Sequence, residues 1–143
     1  MEELILPHQE EMWDCNKNFK KEKKMLNIRK RKIFINNFEL MASVGAYEVE
    51  KEQKQKIIID LEIYLTNDSE TKTDELNQTQ DYSQFRTLVK DIINSRHFQL
   101  LEILTDKIYE EIIKNEFVLG VKVKITKPDI FYDCEVAYQL SNI

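Results

Sequence analysis

The sequence predicts an α+β domain, an antiparallel four-stranded sheet in the order β-β-α-α-β-β with two helices on one face. Three observations predict it. Apolar residues occupy every second position through "KIIIDLEIYLT", residues 56–66, giving one apolar and one mixed face. Two successive stretches, 81–96 and 98–115, repeat apolar residues at helical spacing. Alternation then returns in "FVLGVKVKITKP", residues 117–128, before a closing apolar segment, "CEVAYQLSNI".

The elements follow in chain order. Residues 1–30 form a charged N-terminal arm with a lone Trp13 and a basic run, and no sustained period of either kind. Such a run reads as a solvated helix or a disordered tail, and Met25 is a second candidate start. The patterned domain spans 31–143. Its first strand lies in "KIFINNFELMASVG", with β-branched and aromatic residues at its start. In the second, Ile57, Ile59, Leu61, Ile63 and Leu65 face one way, and Ile58, Asp60, Glu62 and Tyr64 the other. The polar "NDSETKTDELNQTQ" is a connection.

The first helix carries Phe85, Leu88, Val89, Ile92 and Ile93 on one stripe, with Asp81 or Ser83 as its N-cap. The second carries Leu101, Leu104, Ile108 and Ile112. In the third strand Val121, Val123 and Ile125 alternate with Lys122, Lys124 and Thr126, and Pro128 ends the ladder because it has no N–H to donate.

A sheet covered on one face only, with edges to protect, predicts a ring of copies closed edge to edge. Helices would lie outside and polar residues would line the middle.

Composition narrows the function classes. The chain of 143 residues is long enough for one core and too short for two. Net charge is −5, with +3 on residues 1–32 and −8 on the rest, so the acidic body argues against nucleic acid. No apolar run approaches the about 18 residues of a membrane span. Cys15 and Cys134 lie far apart in dissimilar surroundings, as free thiols of a cytoplasmic protein would. The two histidines, His8 and His97, have no metal-ligand spacing, so no metal is expected.

Four polar residues stand at element ends, where scaffolds present reactive groups: Glu50, Tyr82, Glu102 and Lys127. Glu50 reads otherwise as part of a charged hairpin loop, Tyr82 as a staple residue and Lys127 as a solvated strand end. Glu102 follows Leu100 and Leu101 beside an apolar stripe, where a carboxylate needs a partner.

Together "VGAYEVEKEQKQ", "QDYSQF", "FQLLEILTDKI" and "VKVKITKP" resemble, in order and spacing, the motifs of the dihydroneopterin aldolase family over about residues 33–143. The resemblance implies the tunnelling fold, a homo-oligomeric barrel (tetramer or octamer) with active sites between subunits. It also implies retro-aldol cleavage of 7,8-dihydroneopterin, a folate precursor, to 6-hydroxymethyl-7,8-dihydropterin and glycolaldehyde. No cofactor is implied, because the C6–N5 imine of the dihydropterin takes up the electrons.

By the same resemblance, Lys127 handles protons near N5 and the side-chain hydroxyl. Tyr82 of a neighbouring subunit protonates the enol-like intermediate, and Glu50 pairs with Lys127 and binds the glycol hydroxyls. Glu102 and the Leu101 backbone bind the pterin ring; Gln55 holds a water or substrate; Ala46 and Tyr47 line the substrate site beside Gly45, whose freedom permits a tight turn.

Val44, the segment after Pro128, and a closing strand without arginine depart from the family's pattern. Two alternatives follow. One is the related dihydroneopterin triphosphate 2′-epimerase, which needs a basic patch that Arg96, His97 and Lys122 or Lys124 would supply. The other is a non-catalytic pterin-binding module.

Overall fold

The structure is a computed structural model that describes residues 15–26 and 29–143. Helix α1, Cys15–Leu26, occupies part of the predicted arm, and residues 1–14 of that arm lie outside the described residues. Its described side chains are solvent-exposed except for the half-buried Asn18. The domain then runs β1 (Arg31–Ala42), α2 (Glu48–Glu52), β2 (Gln55–Leu65), α3 (Ser83–Ser95), α4 (Leu101–Ile113), β3 (Val118–Lys127) and β4 (Val136–Ser141). The strands pair antiparallel in the order β1-β2-β3-β4. Among the described residues no helix is long and apolar enough to cross a membrane.

The core is the set of alternating and helical stripes read from the sequence. The odd-numbered residues of β2 from Ile57 to Leu65, with Val121, Val123 and Ile125 of β3, point to one side of the sheet. Against them pack Phe85, Val89, Ile92 and Ile93 of α3 and Leu101, Leu104, Ile108 and Ile112 of α4, all buried. Each such side chain contributes about 1.5–3 kcal/mol on burial. The opposite face carries Asp60, Glu62, Lys122 and Lys124, which line a shallow cleft of about 310 Å³. Glu62 there takes Lys32 at 2.6 Å.

Strand β1 changes phase halfway along. The pairs Ile35↔Leu61 and Phe38↔Ile59 leave Asn36 and Asn37 opposite Asp60 alone, a β-bulge. Asn37 adopts a φ of 55°, and its N–H donates to Asp60 Oδ1 at 2.8 Å. The extra residue switches the core-facing set from Ile33 and Ile35 to Phe38, Leu40 and Ala42.

Two local readings are corrected. Glu50 lies in the short helix α2, not in a hairpin loop. Helix α3 begins at Ser83 after Tyr82, and neither Asp81 nor Ser83 occupies the N-cap position. Asp81 nevertheless supplies the capping oxygen, accepting the Ser83 N–H at 2.9 Å.

Candidate active site

A cleft of about 480 Å³ opens where the turn after β1, the start of α4, the end of β3 and the start of β4 meet. It is lined by Ala46, Tyr47, Glu50, Leu101, Glu102 and Lys127, with Gln99, Leu100, Ile130, Phe131 and residues 136–138 completing the wall. Six of the eight residues singled out from the sequence therefore share one cavity.

Glu50 is brought there by Gly45. That glycine has a φ of 135°, and a Cβ on it would overlap the Glu50 carboxylate. The open face of Gly45 is thus the seat of the carboxylate, which is 5% exposed. At the third position of α2, Glu50 also reaches back to the Tyr47 N–H at 3.4 Å, half of a capping box. Its Oε2 accepts from Lys127 Nζ at 2.7 Å and from Gln55 Nε2 at 2.9 Å. Gln55 Nε2 donates in addition to the Val44 carbonyl at 2.7 Å, so its amide nitrogen fixes Glu50 to the end of β1.

Burial pushes the Glu50 carboxyl up. The Lys127 hydrogen bond, the Gln55 amide, the Lys127 charge and the Tyr47 N–H outweigh it and hold the group below its usual range. Lys127 is the last residue of β3, placed there because Pro128 stops the strand. The pair is an ammonium and a carboxylate in contact at the wall of a cleft, able to exchange a proton with a hydroxyl held beside them.

Glu102 presents the opposite situation. It is exposed, in the first turn of α4, and no hydrogen bond or ion pair engages it among the described residues. Leu100 precedes the helix and provides no side-chain cap. Among the described residues, the first N–H groups of α4 therefore end unpaired at the cleft, next to an unpaired carboxylate. A carboxylate beside free N–H donors complements a flat heterocycle with adjacent N–H donors and a carbonyl.

Tyr82 is not part of this cavity. It is 68% exposed and lines a separate cleft with Thr71, Thr73 and Leu76. The basic patch required by an epimerase does not assemble at the cleft. Arg96 stacks 3.9 Å from the Phe98 ring centroid, and Lys122 and Lys124 lie on the other sheet face.

His97, read from the sequence only as a member of a possible basic patch, instead bonds the turn after β1. Its Nδ1 lies 2.6 Å from Ser43 Oγ and its Nε2 2.9 Å from the Gly45 carbonyl. Only a contact between residues 52 and 54 positions apart, invisible to spacing rules, reveals it.

Comparison with known proteins identifies the family. The family model described as FolB, dihydroneopterin aldolase, matches residues 33–140. The dihydroneopterin aldolase of Haemophilus influenzae is 26% identical over 97 residues, covering 68% of this chain and 82% of that protein. That of Bacillus subtilis is 28% identical over 99 residues, covering 68% and 82%. Among solved structures, the dihydroneopterin aldolase from Burkholderia thailendensis bound to guanine superposes with a TM-score of 0.72 at 25% identity, over 80% of this chain and 91% of that one.

Proposed function

The chain belongs to the dihydroneopterin aldolase family, and on that premise we propose that the cleft binds 7,8-dihydroneopterin and cleaves its side chain. The reaction is a retro-aldol cleavage giving 6-hydroxymethyl-7,8-dihydropterin and glycolaldehyde, that of an aldehyde-lyase. The observation that carries it is the Lys127–Glu50 contact of 2.7 Å in the same cleft as the unpaired Glu102. The guanine held by the Burkholderia relative has the same 2-amino-4-oxo pyrimidine edge as a pterin.

In this reading Glu102 accepts the 2-amino and N3–H groups of the ring, and the Leu101 backbone N–H meets the ring's acceptors. The glycol side chain then lies toward Glu50, Gln55 and Lys127. Loss of the proton from the 2′-hydroxyl breaks the C1′–C2′ bond. The released electron pair forms a C1′=C6 double bond as N5 takes up a proton. Glycolaldehyde leaves with C2′ and C3′, and protonation at C1′ with release of the N5 proton to Lys127 restores the C6–N5 imine. Lys127, oriented by Glu50, relays protons between the 2′-hydroxyl and N5, and Tyr82 protonates C1′. No metal or cofactor enters this scheme.

Tyr82 reaches the site only from another copy of the chain. Two sheet edges unpaired among the described residues, β1 and β4, and exposed apolar residues at the cleft rim such as Phe131 and Leu100 favour the same assembly. The assembly is a barrel of four copies, or two stacked barrels, with sites between subunits.

Product analysis decides the reading. Incubation with 7,8-dihydroneopterin at neutral pH without added metal yields glycolaldehyde and the hydroxymethyl product. Recovery of only the 2′-epimer would favour the epimerase. Tight binding without turnover would leave a pterin-binding module.

A further inference from the structure

Two segments far apart in sequence supply the two ends of the cleft. Residues 43–45 lead into the turn that carries Glu50, and residues 96–98 lead into α4 and Glu102. They run side by side in a short parallel bridge, Val44↔Phe98. The Phe98 N–H donates to the Ser43 carbonyl at 3.1 Å, and the Gly45 N–H to the Phe98 carbonyl at 2.8 Å. His97 adds its side chain to this junction. A carbonyl oxygen can only accept, so Nε2 carries the proton that bonds Gly45, and Nδ1 shares a hydrogen bond with the Ser43 hydroxyl. Arg96 fixes the segment from outside, donating to the His97 carbonyl at 2.9 Å while stacked on Phe98.

We propose that His97 is a positioning residue for the reaction. By clamping Ser43 and Gly45 it holds the glycine on which the Glu50 carboxylate rests, and so sets the Glu50–Lys127 pair relative to Glu102. The two ends differ in how firmly the rest of the fold holds them. Helix α4 is anchored in the core by Leu101, Leu104, Ile108 and Ile112. Residues 46–49 are exposed, so the turn depends on Val44, Gly45 and Glu50 for its place. Loss of the clamp therefore displaces the reacting end and leaves the ring-binding end where it is. This inference rests on the reading of the cleft given above.

The test is a set of variants of the full chain. His97→Ala lowers kcat about tenfold or more and moves KM little, because small displacements of reacting groups are costly to rate. His97→Gln, whose terminal amide nitrogen reaches as far as Nε2, restores most of the rate. His97→Asn, which reaches only as far as Nδ1, does not. Amide hydrogen exchange at Gly45 rises in the Ala and Asn variants and stays near the parental rate in the Gln variant. Equal losses in all three variants with lowered melting temperature would make His97 merely structural and overturn the proposal. So would unchanged kcat and unchanged Gly45 exchange in His97→Ala. Should the unaltered chain release no glycolaldehyde, the functional reading fails, while the exchange measurement still decides whether His97 holds the turn.

Discussion

Lys127 Nζ and Glu50 Oε2, 77 residues apart in sequence, meet at 2.7 Å with their side chains 11% and 5% exposed. Removal of either partner leaves the other charge in a poorly solvated wall. Lys127→Ala is therefore expected to lower turnover about 10²-fold or more if the amine relays protons. Each of Glu50→Gln and Lys127→Met should cost about 1.5–3 kcal/mol in urea unfolding. The double variant should cost less than their sum, because the residues are coupled. Protein concentration is held fixed throughout, since assembly contributes to apparent stability. Near-normal turnover of Lys127→Ala would remove the amine from the mechanism.

The pH dependence of stability follows from the same pair. Burial raises the Glu50 carboxyl, but Lys127, Gln55 and Tyr47 together lower it below the unfolded value. A group depressed in the folded state contributes stability that is complete above its unfolded pKa, near 4.3 for glutamate. That contribution is lost as pH falls through the lower folded value. Glu62, held low by its hydrogen bond from Lys32, and Glu111, held low by that from Lys114, shift in the same direction. The acid limb of the native chain is thus no report on Glu50 alone. The difference between native chain and Glu50→Gln is: it should shrink on acidification and be flat at neutral pH.

Much of this arrangement was legible beforehand, for identifiable reasons. Strand β2, helices α3 and α4, and strand β3 each bury one face, so their periods are clean, and Pro128 marks the end of β3 without ambiguity. Strand β1 was blurred because the Asn36–Asn37 bulge shifts its phase halfway along. Helix α2 was missed because its order comes from Glu50 bonding backwards to Tyr47 and sideways to Lys127 and Gln55, not from an apolar stripe. Among the candidate site residues, Glu50, Glu102 and Lys127, which line one cleft, were singled out through motif resemblance together with their place at element ends. Gln55 was expected to hold a water or substrate, and the structure adds its bond to Glu50. His97 was seen only as a possible surface charge.

Gly45 gives the sharpest test of how Glu50 is seated. An alanine there would combine a φ of 135° with overlap onto the carboxylate. Backbone strain of this kind costs about 1–3 kcal/mol. The larger effect should be on rate, because the carboxylate must leave its seat and Lys127 loses its partner. Gly45→Ala is expected to match Lys127→Ala in kcat, at a melting temperature lowered by a few degrees. Retention of full kcat would mean that Glu50 need not rest on residue 45.

Metal removal is a further check. Among the described residues, no three of His, Cys, Asp and Glu stand close enough to hold a metal ion. The imine of the dihydropterin supplies the electron sink in the proposed scheme. Turnover should therefore be unchanged after exhaustive treatment with a chelator, and loss that zinc restores would require a different mechanism.

Tyr82 tests the assembly. It is exposed at the start of α3 and outside the cleft of its own chain, so in the proposed scheme it acts on a neighbour's substrate. Tyr82→Phe should lower kcat about 10- to 100-fold without changing thermal stability, because an exposed hydroxyl with no hydrogen bond among the described residues is removed. The decisive measurement mixes this variant with Lys127→Ala and refolds the two together. If each site draws Lys127 from one copy and Tyr82 from the next, roughly a quarter of the sites in a one-to-one hybrid carry both native residues. Activity in the mixture then rises above that of either parent, with hybrid formation checked by native mass spectrometry. Hybrids that form and stay inactive would refute a site shared between subunits and, with it, any part for Tyr82 in the chemistry.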